Sequence, residues 1–322
     1  MNILNNIIID GMSFALPLFI MAIGGIYSEK SGITNLALEG LQGMGAFIGG
    51  LAAYCLALRF GADSQVPYYM AMLFAMLGGA VYSMLHAVLC IRFRANQVIS
   101  GVVINILGMA LTSFLTKTIN KNVFGEASDK FILGVSARYT VPGISRIPVL
   151  GAFFTNVYPF ELLIVVMALI AWYFLYRTRF GLRLRACGDN PHAVDAAGGD
   201  VARTRFIAVM VSGALSGLAG MCFAYSISGK FSSDIYVGYG YLSIAAYIFG
   251  NWSLLPSLAA CLIFGFARSG GYQLVQQLGM PSSYSDLVMT LPYILTLFLL
   301  IFLSRNNQTP RALGEVYDKS KR

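Results

Sequence analysis

Few side chains in this sequence could do chemistry, and where they fall limits what the chemistry can be. Glu39 in "NLALEGLQG" and His86 in "SMLHAVLC" are the clear ionisable groups inside long apolar runs. A carboxylate or imidazole at such a depth could bind a proton or cation, since an ion leaving water must be held by something that offsets its charge. A histidine alone on an apolar segment, however, is more commonly bonded to a neighbouring helix, and His86 is read that way. The remaining polar groups in or beside apolar runs are uncharged: Asn35, Gln42, Ser100, Asn105 and Asn251. Such donors and acceptors suit a path for a neutral polar solute, though each could equally bond across helices. The candidate pathway residues are therefore Asn35, Glu39, Ser100, Asn105 and Asn251. Asn35 and Glu39 are expected four apart on one helical face, with Glu39 bracing the wall rather than touching the solute. No GxxxxGK(S/T) phosphate loop, HExxH pair or GxSxG elbow occurs, so no catalytic residue, metal ligand or cofactor is expected, and energy must come from a partner. The scarcity of intramembrane charge counts against an ion-coupled carrier and against an intramembrane enzyme.

A second constellation is the polar island "RACGDNPHAVDAAGGDVARTR", Arg185 to Arg205. Asn190 suits an N-cap and Pro191 the first helical position, where its missing N–H costs nothing. Gly198 or Gly199 suits a left-handed stop. About two helical turns, "PHAVDAA", are expected at a membrane surface, anchored by flanking arginines. With Ala193, Ala196 and Ala197 the helix is narrow enough to enter a groove on another protein; the alternative is an ordinary capped surface helix. Gly188, Asp189, Asn190, Pro191, Ala193, Ala196, Ala197 and Gly198 are the candidate contact residues.

The elements that must position these groups are membrane helices. The chain is 57% hydrophobic and 11% charged, outside the range of soluble domains. Its apolar runs match the hydrocarbon thickness at about 1.5 Å per residue, and the alternation of an outer-membrane barrel is absent. The fold class is all-α and polytopic, with nine spans expected (range 8–10): 11–27, 35–58, 68–91, 97–116, 158–176, 206–228, 235–250, 254–276 and 286–303. The run 235–250, "VGYGYLSIAAYIFGN" from Val237, is glycine-interrupted, so a broken or re-entrant helix competes there with a full span. "SGITNLALEG" and "YGYLSIAAYIFG" echo each other faintly, as an internal repeat would leave them.

The chain reads as one transmembrane domain, 1–322. Arg92, Arg94, the six arginines from Arg177 to Arg205 and the basic tail 304–322 place those segments in the cytoplasm. The N-terminus and the loop 117–156 then lie outside, despite the loop's five basic residues. No cleavable leader is read at the start, so the first helix is expected to be retained. The five cysteines read as small buried hydrophobes. Gly45 with Gly49, Ser212, Ser216 and Gly220, and Gly213 with Gly217 have helix-packing spacing, usable within the chain or between chains.

The stretches "GGIYSEKSGITNLALEGLQGMGAF", "FRANQVISGVVINILG", "GLRLRACGDNPHAVDAAGGDVARTRFIAVMVSGALSGLAG" and "AAYIFGNWSLLPSLAACLIFGF" resemble permease subunits of bacterial ABC importers of the branched-chain amino acid, ribose and nucleoside superfamily. The resemblance spans about residues 20–300 and is nearest to the nucleoside branch, which works with basic-membrane-protein-type lipoproteins. It implies that 186–199 (within the loop 177–205) is the coupling loop inserted into an ATP-binding subunit. It further implies a dimer of ATPase subunits, a second and different permease subunit, an extracytoplasmic substrate-binding lipoprotein, a small-molecule cargo, surrounding lipid, no nucleic acid, and a multi-pass location in the bacterial cytoplasmic membrane. Riboflavin, a sugar or an amino acid are the alternative cargos. The chain departs from the pattern in its lysine-bearing 117–156 loop and in Cys187 and His192 within the coupling motif.

Overall fold

The structure, a computed structural model, describes residues 3–319 except 62–63, 135–137, 148, 235–236, 282 and 304–307. Lipid offers backbone groups no hydrogen-bond partners, so the apolar runs satisfy their own as helices. In chain order these are α1 (Ile3–Lys30), α2 (Leu38–Phe60), α3 (Val66–Ala87), α4 (Gln97–Ile119), α5 (Pro159–Arg177), α6 (Arg179–Asp189), α7 (Pro191–Ala196), α8 (Val201–Phe223), α9 (Tyr239–Phe249), α10 (Leu254–Gln277), α11 (Ser283–Val288) and α12 (Leu291–Leu303). Single π-turns extend α3 to Arg92, α4 to Phe124 and α8 to Ser228. Among the described residues seven helices, α1 to α5, α8 and α10, are long and apolar enough to cross a membrane. The chain is a multi-pass helical membrane protein.

Each of the nine expected spans contains helix, but several limits differ. α1 starts at Ile3 rather than 11 and takes Asp10 into the helix. α4 with its π-turn runs on to Phe124, so the long loop begins later than 117. α9 has only 11 residues, so the seventh segment is a short helix, and α12 has 13 among the described residues. α2 starts at Leu38, not 35, because residues 31–37 form an irregular segment lodged among helices, with Ser31, Ile33, Asn35 and Ala37 buried. Beside the interruption expected before α9, the described residues show one before α2 and a turn at 289–290 between α11 and α12.

α1 is the axial helix, packed by α5, α8, α9 and α10. Beside it α2, α3 and α8 form a layer whose backbones nearly touch. A Cβ placed on Gly217 would lie 2.2 Å from the carbonyl oxygen of Ala75, and one on Gly79 2.1 Å from that of Gly213. Gly45 meets Gly217 in the same seam. The small-residue faces are thus spent on packing within the chain. At one end, here the loop end, lie α6, α7 and the start of α8. At the other, the two-residue strands Phe131–Ile132 (β1) and Lys230–Phe231 (β2) pair antiparallel, Phe131 opposite Phe231. Four cysteines are buried, whereas Cys55 is exposed on α2.

Candidate translocation site and coupling loop

The two interrupted segments bring two helix N-termini together in the body of the protein. α2 runs from Leu38 toward the strand end. α9 runs from Tyr239 toward the loop end, where Tyr247 Oη and Trp252 Nε1 donate to Glu29, at 2.8 and 2.6 Å, near the end of α1. The helices start head to head: a Cβ on Gly240 would lie 2.6 Å from Cβ of Glu39. Two such starts repel through their aligned backbone dipoles. Glu39 relieves this as a first-turn acid of α2 whose Oε2 also accepts the N–H of Gly238, the N-cap residue of α9, at 2.9 Å.

The N-cap of α2 is Ala37, which has no side chain able to cap. Asn105 of α4 takes over that task. Its Oδ1 accepts from Gly40 N at 2.7 Å, while its Nδ2 donates to Leu36 O at 2.7 Å and to Tyr241 Oη at 3.2 Å. Glu39 and Asn105 are half-buried and Tyr241 is exposed, so this junction borders open space.

The other expected pathway residues do not join it. Asn35 is not on the α2 helix with Glu39; it precedes the helix, fully buried, its Nδ2 donating to Ser212 Oγ at 2.9 Å and its Oδ1 accepting from Ala37 N at 3.0 Å. Ser100 is buried against His86. Because a carbonyl can only accept, the neutral ring donates from Nε2 to Thr34 O (3.1 Å), leaving Nδ1 to accept from Ser100 Oγ (2.9 Å). Asn251 sits in the turn after α9, at φ 48°, its Oδ1 accepting from Gln308 N at 2.8 Å. Gln42 is fully buried, with neither amide atom bonded among the described residues. Glu29, Gly238 and Tyr241 escaped the sequence reading. Glu29 falls just beyond the expected span 11–27, and the other two are defined by partners far away in the chain.

At the loop end the island folds as its capping residues dictate. Asn190 Oδ1 accepts from Ala193 N at 3.1 Å and Pro191 takes the first helical position. The stop is a Schellman motif: Gly199 N donates to Val194 O at 2.8 Å and Gly198 N to Asp195 O at 2.9 Å, with Gly198 at φ 78°. Asp200 then caps α8 through Arg203 N at 2.9 Å. Pro191 and Val194 face inward with Cys187 and Val201, while His192, Ala193, Ala196 and Ala197 are exposed. Asp189 and Asn190 are exposed too. Gly188 is buried so tightly that a Cβ would lie 2.3 Å from Lys30 O. Burial pushes the Cys187 thiol above its ordinary value, which leaves it an unreactive packing group.

The loop is fastened to α1, to the 31–37 segment and to the tail. Arg205, 3% exposed, donates from Nε to Ser31 O and from Nη1 to Glu315 O, each at 3.0 Å. Ala312 N donates to Gly188 O at 2.7 Å and Gly314 N to Gly32 O at 3.1 Å. Lys319 Nζ lies 3.5 Å from Asp195. Of the tail, 304–307 and 320–322 lie outside the described residues.

Residues 7–297 match the family described as branched-chain amino acid transport system / permease component. The chain is 38% identical to the guanosine ABC transporter permease protein NupQ of Bacillus subtilis, over 99% of this chain and 98% of that one. It is 37% identical to the nucleoside ABC transporter permease protein NupC of Lactococcus lactis subsp. cremoris, over the whole of both. A putative glucose ABC transporter permease protein, TsgC13 of Haloferax volcanii, is 29% identical over 78% of this chain and 72% of its own. No solved structure matches. A multi-pass helical body related along its length to permeases is a transporter and not an enzyme: the chain belongs to the ABC transporter permease family of branched-chain amino acid transport system permease components.

Proposed function

We propose that this chain is one of two different permease subunits of an ATP-driven importer in the bacterial cytoplasmic membrane, and that its cargo is a nucleoside. Similarity to nucleoside permeases over the full chain carries the cargo reading. An extracytoplasmic lipoprotein delivers the solute, a dimer of ATPase subunits supplies the energy, and the segments 177–205 and 304–322 face the cytoplasm, with 117–156 outside. The second permease rests on the resemblance alone, because the small-residue faces are occupied inside this chain.

In this reading α7 is the coupling helix. It is closed at both ends, its inner face is packed, and its exposed side of Ala193, Ala196 and Ala197 is narrow enough for an ATPase groove. A push on α7 passes through Gly188 to Lys30 and through Arg205 to Ser31, hence along 31–37 to the start of α2. There Glu39 and Asn105 hold the two helix starts that border the solute path. The half-buried junction suits a neutral solute, since its own charge is committed to helix ends. The test is uptake by proteoliposomes holding the chain with its partner permease, ATPase and lipoprotein, offered radiolabelled guanosine, riboflavin, glucose and leucine. Accumulation of guanosine driven by ATP is expected; accumulation of another solute in its place would overturn the cargo reading.

A further inference from the structure

At the strand end, on the far side of the protein from α7, a cavity of about 250 Å³ opens between α1, α8, α10 and the turn before α12. Asp10, Ser13, Phe14, Ser226, Arg268 and Ser269 are among its lining. Its volume falls just below the roughly 300–1,000 Å³ of pockets for drug-sized ligands, so it suits a smaller solute.

Its polar groups are not used up by the fold. Ser269 is 4% exposed, and its hydroxyl, like that of Ser226, has no hydrogen-bond partner among the described residues. A buried hydroxyl left unpaired costs free energy unless a ligand or water meets it. Arg268 forms no ion pair among the described residues; its guanidinium lies over the ring of Phe14, 4.6 Å from the centroid. Among the described residues the Asp10 carboxylate accepts one bond, from Gln273 Nε2 at 3.3 Å, through Oδ2. The cavity therefore offers one cation that covers the Phe14 floor, one anion with an oxygen to spare among the described residues, and two unpaired hydroxyls. An anionic solute would meet Asp10 and a cationic one Arg268. A neutral, flat solute carrying both donors and acceptors can use all of them.

The floor leads to the junction. Phe14 packs edge-on against Tyr239, centroids 5.1 Å apart, and Tyr239 opens α9 directly after Gly238, the residue held by Glu39. We propose that Asp10, Arg268, Ser226 and Ser269 form an outer subsite that receives the neutral heterocyclic cargo above the helix-start junction. This rests on the importer reading given above and adds to it a place within this chain alone.

Photolabelling tests it, using 8-azidoguanosine on the complex of both permeases and the ATPase in nanodiscs without lipoprotein. Label is expected in peptides covering residues 10–14 and 268–272, displaced by guanosine. Asp10→Asn and Arg268→Gln should raise the half-saturating concentration about tenfold to a hundredfold, and Ser269→Ala about threefold to tenfold. The Ser269→Ala protein should melt no lower than the parent, because the lost hydroxyl had no partner, so its weaker labelling cannot be misfolding. Label confined to other segments, or the same half-saturation in all three variants, overturns the subsite. Loss of the nucleoside reading appears separately, as absent guanosine uptake by wild-type proteoliposomes with lipoprotein present.

Discussion

Glu39 and Gly238 stand 199 positions apart and meet at 2.9 Å, carboxylate to backbone N–H, so one side chain serves the first turns of two helices that point away from each other. Removing it in Glu39→Ala leaves two positive helix ends in contact and an N–H without its acceptor. The expected loss is about 2–3 kcal/mol of stability, seen as a lower melting temperature in detergent. Glu39→Gln keeps an acceptor and loses only the charge, for about 0.5–1 kcal/mol. Equal melting of Glu39→Ala and wild type would show that the junction needs no acid.

Asn105 caps α2 from a different helix. Asn105→Leu strands Gly40 N–H and Leu36 C=O together, an expected loss of about 2–4 kcal/mol with reduced uptake. Asn105→Asp keeps the acceptor toward Gly40 but puts a carboxylate oxygen against Leu36 O, so it should fall between Leu and wild type. The reverse order, in thermal melts of the purified chain, would contradict the assignment.

On α7 the expected effects separate fold from coupling. Ala196→Arg places a charge on the exposed narrow face and touches no spanning helix. Membrane levels should be normal while ATPase copurification weakens about 30-fold or more, through a penalty on the order of 2–5 kcal/mol. Gly198→Val should do similar damage differently, since a β-branched residue resists φ 78°. Normal substrate-stimulated ATP hydrolysis in the Ala196→Arg complex would remove α7 from the coupling role.

The tail is part of the same structure. Truncation before Arg311 removes the bonds from Ala312 to Gly188 and from Gly314 to Gly32, along with Arg205's contact to Glu315. Hydrogen exchange at amides 190–199 should accelerate about tenfold, an opening roughly 1.4 kcal/mol easier. Lys319→Ala should change little, because its pair with Asp195 leaves the lysine 74% exposed. Unchanged exchange after truncation would show the tail to be passive.

Cys187 gives a pH dependence. Its thiol is raised above the ordinary 9.0 mainly by burial. A raised folded value means that the folded state favours the neutral thiol. This contribution is whole below the unfolded value near 9 and is lost as pH climbs through the folded one. The loop end should therefore hold from pH 6 to 8 and soften above about 9, with iodoacetamide modification of Cys187 only in that alkaline range. Cys187→Ala should flatten the alkaline slope, and rapid modification at pH 7.5 would contradict the burial.

What the sequence revealed was local. Asn190, Pro191 and Gly198 carry their own instructions, so α7 and its stop could be read from caps and φ preferences alone. Hydropathy placed the spans because lipid demands long apolar runs. The break at 31–37 was hidden, since Ile33, Leu36, Ala37 and Leu38 are as apolar as the helix that follows and its start is set by Asn105, 69 positions beyond Leu36. For the same reason the sequence puts Asn35 on the α2 helix that it in fact precedes, and it gives no sign of Glu29, which Tyr247 and Trp252, more than 200 residues later, make a buried acceptor.

The seam where Gly45, Gly79, Gly213 and Gly217 bring three backbones together has a mechanical side. Most helix contacts are geared: side chains mesh, and sliding one helix means lifting every tooth out of its notch. At these four glycines the contacts are largely main chain to main chain, with Ser83 the side chain that faces Gly213. α8, which leads directly out of the α7 loop, therefore lies against α2 and α3 at this seam mainly through main chain, and a single added methyl at Gly217, 2.2 Å from Ala75 O, would act as a wedge that forces the helices apart.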